Sequence, residues 1–159
     1  MKIFTGCGYD VHKFIEERKL KLGGVEIPYD MGLLGHSDAD VLLHAIMDSL
    51  LSAAGLKDIG WHFPNSDMQY FGISSLTLLE KVLKILADNG YIPNNVSAQI
   101  ICEKPVLKDY IDNMRENIAN ALKIDIKRVA VMATTNEGLG FVGRNEGIAV
   151  IANSSIIEK

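Results

Sequence analysis

A chain of 159 residues, 48% hydrophobic and 23% charged, has the length of one domain and the composition of an ordinary globular protein, which excludes disordered and fibrous classes. Its formal net charge of -4 supplies no basic field for nucleic acid, so an anionic ligand has to be gripped locally. Two cysteines, Cys7 and Cys102, are too few for a disulfide framework or a thiolate zinc cage; no signal-peptide pattern precedes Asp10 and no apolar run approaches the ~20 residues of a membrane span, so the reducing cytoplasm is the expected compartment.

Residues 2 to 8 read as a strand, and Leu20 to Leu22 with Val25 to Ile27, joined through Gly23-Gly24, as a short hairpin. Ser37 offers an N-cap hydroxyl with Asp40 three residues on, as in a capping box. Apolar residues at 42, 43, 46, 47, 50 and 51 then follow helical spacing, and Gly55 supplies the stop. A second helix is expected from Ser75 to Asn89, with Leu76, Leu79, Val82, Leu83 and Leu86 as its apolar stripe and Gly90 ending it. A strand over Val96 to Cys102 precedes a third helix, Leu107 to Leu122, with Tyr110, Ile111, Met114, Ile118 and Leu122 on one side. Strands from Arg128 to Thr134 and Gly147 to Ile156 close the chain around a glycine-containing segment at 136–144. No repeat or linker interrupts the series. Residues 1–159 are therefore expected to form a single α+β domain, a mixed sheet with helices packed on one face as in a ferredoxin-like sandwich.

Asp10 and His12 lie two apart, and on an extended backbone both side chains project from one face. The first helix offers a third ligand, His44, with Asp40 four residues before it and Asp48 four after; either acid is placed to orient the imidazole. Two imidazoles and a carboxylate suit zinc and leave its fourth position open. Taken alone, His44 reads equally as a core histidine satisfied by one of those acids. The polar run from Gly35 to Asp40 sits at a helix start, where free N–H groups favour an anion such as phosphate. The local alternative, a mere Ser37 cap with a surface His36, is the simpler one. Cys7 reads as a small buried hydrophobe of the first strand. Thr134, Thr135 and Glu137, with Arg144 beyond the glycines, read as converging hydroxyls, carboxylate and guanidinium for phosphate and a hard cation; an elaborate turn is the alternative.

Three separated blocks carry a likeness that spans the chain: GYDVHKF at 8–14, GHSDADVLLHAIMDSLLSAAGLKDIGWHFPNSD at 35–67 and ATTNEGLGFVGRNEGIA at 133–149. In order, spacing and residue type they resemble the 2-C-methyl-D-erythritol 2,4-cyclodiphosphate synthases of the non-mevalonate isoprenoid pathway. The resemblance implies a homotrimeric lyase with active sites between subunits. Its reaction cyclises 4-diphosphocytidyl-2-C-methyl-D-erythritol 2-phosphate by attack of the 2-phosphate on the β-phosphorus, and CMP leaves.

By the same resemblance Asp10, His12 and His44 hold Zn2+, Glu137 helps hold a second ion, Mg2+ or Mn2+, and His36 and Thr135 stabilise the transition state. Ser37, Asp58, Ile59, Gly60, Phe63, Pro64, Asn65, Ser66 and Asp67 match contacts to the methylerythritol phosphate. Cys102, Glu103, Lys104, Pro105, Val106, Leu107, Lys108 and Thr134 match the cytidine side, and Asn136, Phe141 and Arg144 further contacts. Gly138 and Val106 stand where the family usually has lysines, with Lys104 or Lys108 as substitutes, and Ile151 stands where an acid is common near the threefold axis. Arg144 faces that channel in relatives, where an isoprenoid diphosphate is a possible ligand. Two other functions use the same residues: a zinc-dependent nucleotide hydrolase that activates water, and a non-catalytic trimeric metabolite-binding module with structural histidines.

Overall fold

In the computed structural model, which describes residues 1–159, alternation along one long strand sets the layers. β1 (Ile3–Glu16) outruns the expected 2–8 and turns Phe4, Gly6, Gly8, Asp10, His12 and Phe14 inward, while Ile3, Thr5, Cys7, Tyr9, Val11 and Lys13 stay exposed. Cys7 is therefore exposed, contrary to the expected burial. It has the odd parity of the outer face, opposite to the acid and the histidine that follow it.

β2 (Leu20–Leu22) and β3 (Val25–Ile27) form the expected hairpin, with Leu22 opposite Val25. Gly23 and Gly24 both adopt positive φ, 58° and 72°, which a two-residue turn of this hand requires. β4 (Met31–Leu33) pairs with the end of β1, Leu33 opposite Phe14, a three-residue strand with no turn-bounded pattern to announce it.

α1 (Val41–Ala53) begins later than Ser37 suggests, because Asp40 is the N-cap and accepts from Leu43 N at 3.1 Å. The hairpin decides this: Gly23 N and Gly24 N donate to the two Asp40 carboxylate oxygens at 3.0 and 2.7 Å, so the capping side chain also staples the hairpin to the helix. Burial pushes the fully buried Asp40 carboxyl up to about 6, the three N–H donors opposing the rise and the Asp38 charge adding to it. The folded value lies above the ordinary 3.8, so the folded chain binds this proton more tightly than the unfolded one. Its contribution to stability is full below about pH 4 and is lost as pH rises through 6. Asp40→Asn is expected to flatten that decline in a series of thermal melts; an unchanged slope would mean that Asp40 titrates alike in both states.

α2 (Ile59–His62) is a single turn capped by Asp58. α3 (Ser75–Asp88) buries Leu78, Leu79, Val82 and Leu86, so Leu78 joins the expected stripe while Leu76 is only half-buried. β5 (Tyr91–Ile101) follows. Then α4 (Ile111–Leu122) buries Met114, Ile118 and Leu122 after a 3-10 turn, Lys108–Tyr110, which occupies the expected helix start. β6 (Val129–Thr134), the short α5 (Gly140–Gly143) and β7 (Gly147–Glu158) complete the chain.

The main sheet runs β4-β1-β7-β5-β6, with β5 and β6 parallel and β7 antiparallel to both β1 and β5. This is the mixed sheet with helices on one face that the pattern called for. α1 is buried on nearly every side, only Asp48 and Ser52 reaching outward, as befits a helix between a sheet and other helices. It lies on β1 backbone to backbone: a Cβ on Gly8 would meet Ala45 O at 2.1 Å, and one on Gly6 would meet Ala53 N at 2.2 Å. The opposite sheet face leaves Tyr9, Val11, Met132 and Ile151 between 40% and 54% exposed.

Candidate active site

The inward parity of β1 sets Asp10 and His12 side by side, and the close seat of α1 on Gly8 brings His44 over them. His12 Nε2 is 2.9 Å from Asp10 Oδ2 and 3.2 Å from His44 Nδ1, and His44 Nδ1 is 3.1 Å from the same Asp10 oxygen. Burial disfavours the Asp10 carboxylate, but hydrogen bonds from His12 and His44 and their charge hold it well below the usual carboxylate range. Burial also opposes protonation of His12, and the Asp10 carboxylate and the Leu34 carbonyl overcome it, raising His12 above the ordinary imidazole value.

Three lone-pair atoms this close need a positive charge among them, and the triangle fits one. Tetrahedral ligands at ~2.0–2.2 Å from an ion stand ~3.3–3.6 Å apart, a few tenths beyond the observed edges of 2.9, 3.1 and 3.2 Å. The His12 Nδ1–H donates to the Leu34 carbonyl, which leaves Nε2 free to ligate. A cation therefore fits the donor set.

The triad opens on a cavity of about 290 Å³, walled also by His36, Ser37, Ile59, Gly60, Phe63 and Asn65. The loop at 34–37 that carries part of this wall is clamped by Arg18, whose guanidinium donates to Gly35 O at 2.7 Å and Ser37 O at 2.8 Å. A second cavity, of about 680 Å³, is walled by Cys102, Glu103, Pro105, Val106, Leu107, Lys108, Thr134 and Thr135, with Ile111 and Met132. Glu103 Oε1 accepts from Asn136 N at 2.8 Å and Gly138 N at 3.3 Å, tying the Thr134–Gly138 turn to this wall. Burial pushes the Cys102 thiol up to about 12, and it donates to Lys104 O. The thiol is structural. The two cavities share no wall residue. β7 and β5 stand between β1 and β6, three strand spacings or ~14 Å.

Residues 3–157 match the family model described as the YgbB family. The chain belongs to the YgbB family. A relative from Clostridium botulinum (strain Alaska E43 / Type E3), named 2-C-methyl-D-erythritol 2,4-cyclodiphosphate synthase, is 61% identical over 155 residues, 98% of this chain and 99% of its own. One of the same name from Lachnospira eligens is 62% identical over 152 residues, 96% of this chain and 83% of its own. Among solved structures, the bifunctional IspDF from Campylobacter jejuni matches 99% of this chain with TM-score 0.95 at 43% identity, and this chain spans 43% of that longer protein. IspF of Plasmodium falciparum, in a CDP complex, matches with TM-score 0.85 at 35% identity over 99% of this chain and 97% of its own.

Several expectations for this YgbB chain need correction. Neither Asp40 nor Asp48 orients His44: Asp40 is committed to the hairpin and the helix cap, and Asp48 accepts from Ile59 N at 2.9 Å. The His44 Nε2 instead lies 3.1 Å from both Ser37 Oγ and Ser75 Oγ. Ser37 is thus a neighbour of the triad and not the cap, and the start of α1 is closed by Asp40, not open to an anion. Arg144 Nε pairs with Glu146 Oε1 at 2.7 Å. Thr135 Oγ1 does reach Glu137 Oε1, at 3.4 Å.

Of the other expected contacts, Asp58 caps α2 and lines a neighbouring cavity with Asp48 and Tyr9. Asp67 caps the 3-10 turn after it. Pro64, Ser66, Lys104 and Phe141 wall neither main cavity. Sequence reasoning missed Arg18, Asp38 and Ser75, and the placement of Asp48 and Tyr70 in the first cavity wall. Their roles depend on contacts between distant segments that no local spacing announces.

Proposed function

We propose that the chain works as a cyclodiphosphate synthase through a site whose two walls come from different subunits. As a 2-C-methyl-D-erythritol 2,4-cyclodiphosphate synthase it is a lyase of non-mevalonate isoprenoid biosynthesis. It closes 4-diphosphocytidyl-2-C-methyl-D-erythritol 2-phosphate into the cyclic diphosphate and releases CMP. The observation that carries the reading is the Asp10, His12 and His44 triangle, open on one side to a walled cavity.

Asp10, His12 and His44 would hold Zn2+, and Glu137 would help hold a second divalent ion, Mg2+ or Mn2+. Bound there, the two cations supply Lewis-acid neutralisation of the charge that develops on the diphosphate. The attacking 2-phosphate is already an anion at neutral pH, so the chain needs no strong general base; its task is to fold the substrate so that nucleophile and phosphorus meet in line. Such positioning is worth about 7–11 kcal/mol. Ile59, Gly60 and Phe63 offer the methylerythritol an apolar wall with Asn65 as polar contact. The His36 Nε2, buried and without a partner, is free to meet a phosphate oxygen, and Thr135 presents a hydroxyl from the other wall. The backbone from Cys102 to Lys108 would read the cytosine. Glu103 braces that wall by its two bonds to the Thr134–Gly138 turn.

What supports a shared site is distance. β1, which carries two of the triad residues, and β6, which leads into the Thr134–Glu137 turn, stand three strand spacings or ~14 Å apart across the sheet, whereas the two phosphates of a diphosphate are adjacent. A second copy therefore has to bring its Thr134–Glu137 turn to the first copy's triad. The exposed apolar outer face of the sheet gives such an assembly area to bury, and the trimer is the closed form the resemblance implies. Light scattering on the eluting protein is expected to give three times the chain mass, and Val11→Asp, on the outer face of β1, is expected to lower that mass and CMP release together. A monomer at full activity would sink the shared site. Cytoplasmic location belongs to the same reading; no helix is long and apolar enough to cross a membrane.

The deciding experiment is phosphorus NMR of the reaction with and without a chelator. Cyclic diphosphate plus CMP, lost on chelation, is the expected result; acyclic phosphates would point to a hydrolase that activates water, and no turnover to a binding module. Arg144, exposed beside Glu146, would face the threefold channel and bind an isoprenoid diphosphate there. Equal binding of farnesyl diphosphate by Arg144→Ala would remove that role.

A further inference from the structure

The two imidazoles of the triad must each present a lone pair to the same point, and the chain arranges this differently for each. For His12 the partner is a backbone carbonyl, which can only accept, so Nδ1 carries its proton and Nε2 is the atom left for a cation. His44 has no carbonyl partner. Its Nε2 faces two hydroxyls, Ser37 Oγ and Ser75 Oγ, each at 3.1 Å, and a hydroxyl can donate or accept.

The proton of Ser75 is already committed. Ser75 Oγ donates to Asp38 Oδ1 at 2.5 Å, and the Ser75 backbone N–H donates to the other Asp38 oxygen at 3.0 Å. A carboxylate only accepts, so the Ser75 oxygen is left facing His44 as an acceptor. Nε2 must then carry a proton, so any proton that Nδ1 shares with Asp10 is a second one, and a cation between Nδ1, Asp10 and His12 can take its place. Ser37 has no such commitment: its oxygen accepts from Ala39 N and its own proton stays free. Alone, Ser37 would serve either tautomer, and the tautomer with a proton on Nδ1 cannot ligate. Ser75 is fully buried and His44 is 8% exposed, so bulk water does not stand in for the missing acceptor.

We propose that Ser75, backed by Asp38, is the positioning residue that holds the His44 imidazole in the tautomer with Nδ1 free to bind a cation. The inference rests on the metal-site reading above. Ser75 is the first residue of α3 and Asp38 lies in the loop before α1, so the ordering of α3 against that loop sets the readiness of the site.

The test uses the full chain stripped of metal, zinc alone as probe in competition with a chromogenic chelator, and nitrogen NMR of labelled histidine. In the parent, the His44 Nε2 is expected to carry a proton with and without zinc. Ser75→Ala is expected to mix the two tautomers and to weaken zinc binding about 10–100-fold. Asp38→Ala keeps the Ser75 oxygen but releases its proton, and is expected to weaken zinc in the same direction. It also serves as the second variant should Ser75→Ala fail to fold. Ser75→Thr, which retains the hydroxyl, should stay nearer the parent than Ser75→Ala. A His44 Nε2 without a proton in the parent, or zinc affinity within twofold of the parent in a folded Ser75→Ala or Asp38→Ala, overturns the proposal. His44→Ala run alongside separates the levels. Full zinc affinity there sinks the metal site itself, whereas loss there with none in the Ser75 and Asp38 variants sinks only this inference.

Discussion

His44→Ala is expected to remove zinc uptake and CMP release together while the chain still folds. In the proposed site the imidazole would supply one of only three ligands, and the two that remain, Asp10 and His12, come from one strand and would not enclose an ion. Lewis-acid stabilisation of this kind is worth several kcal/mol, and ~4 kcal/mol corresponds to about 10³ in rate, so CMP release should fall by on the order of 10³-fold or more. The effect on the fold should be smaller. The removed ring hydrogen-bonds two serines and Asp10, but Ser75 keeps Asp38, Ser37 keeps Ala39 N and Asp10 keeps His12, so the total should stay within the about 1–3 kcal/mol of one unsatisfied group. Metal analysis, CMP release and a thermal melt on the same preparation check all three statements. Zinc at the parent level with CMP release within tenfold of the parent would show that the triangle is not the metal site.

Gly8→Ala is expected to damage the site from the opposite side, through the backbone. Its added Cβ would lie 2.1 Å from Ala45 O and 2.7 Å from Ser49 N, and neither neighbour is a side chain that can rotate away. The helix must therefore lift from the strand. Overpacking of a rigid contact typically costs about 1–3 kcal/mol and occasionally more, and backbone on both sides puts this position at the upper end. For a domain of this size that is roughly 6–12 °C in the melting midpoint. His44 rides on the displaced helix next to Ala45, so its Nδ1 should move off the Asp10 and His12 atoms by a comparable fraction of an ångström. Zinc affinity should fall with the midpoint. Gly55→Ala is the control at a glycine whose Cβ meets nothing within 4 Å. It should leave zinc binding intact even where its positive φ, 67°, strains the helix end. A melting midpoint and zinc affinity unchanged in Gly8→Ala would mean that α1 is not seated on β1 as described.

Much of this architecture was legible from residue order. The period of two across Asp10 and His12 and the helical spacing from Leu42 to Leu51 put three ligands on two elements, and Gly23-Gly24 marked a hairpin with the right register. Parity also held information that a buried Cys7 overlooked, since an odd-numbered residue of β1 cannot share the face of Asp10. What sequence spacing could not resolve was competition between equivalent residues. Ser37 and Asp40 are both good caps, and the winner is chosen by N–H groups of a hairpin sixteen residues upstream. Asp38, Asp40 and Asp48 are all near His44 in sequence, yet the acid that reaches it does so through Ser75, on another helix. The separation of the two cavities was implied by the family resemblance but not by spacing, because strand order in the sheet, not position in the chain, separates β1 from β6.

The absence of any residue common to the two cavities carries a genetic corollary. If each working centre pairs the triad of one subunit with the nucleotide wall of its neighbour, two inactive alleles with lesions in different walls should rescue each other when co-expressed. Random mixing of His44→Ala chains with chains damaged only at the nucleotide wall would leave one junction in four with both halves intact. A pathway disabled by either allele alone would then regain partial flux in the heterozygote.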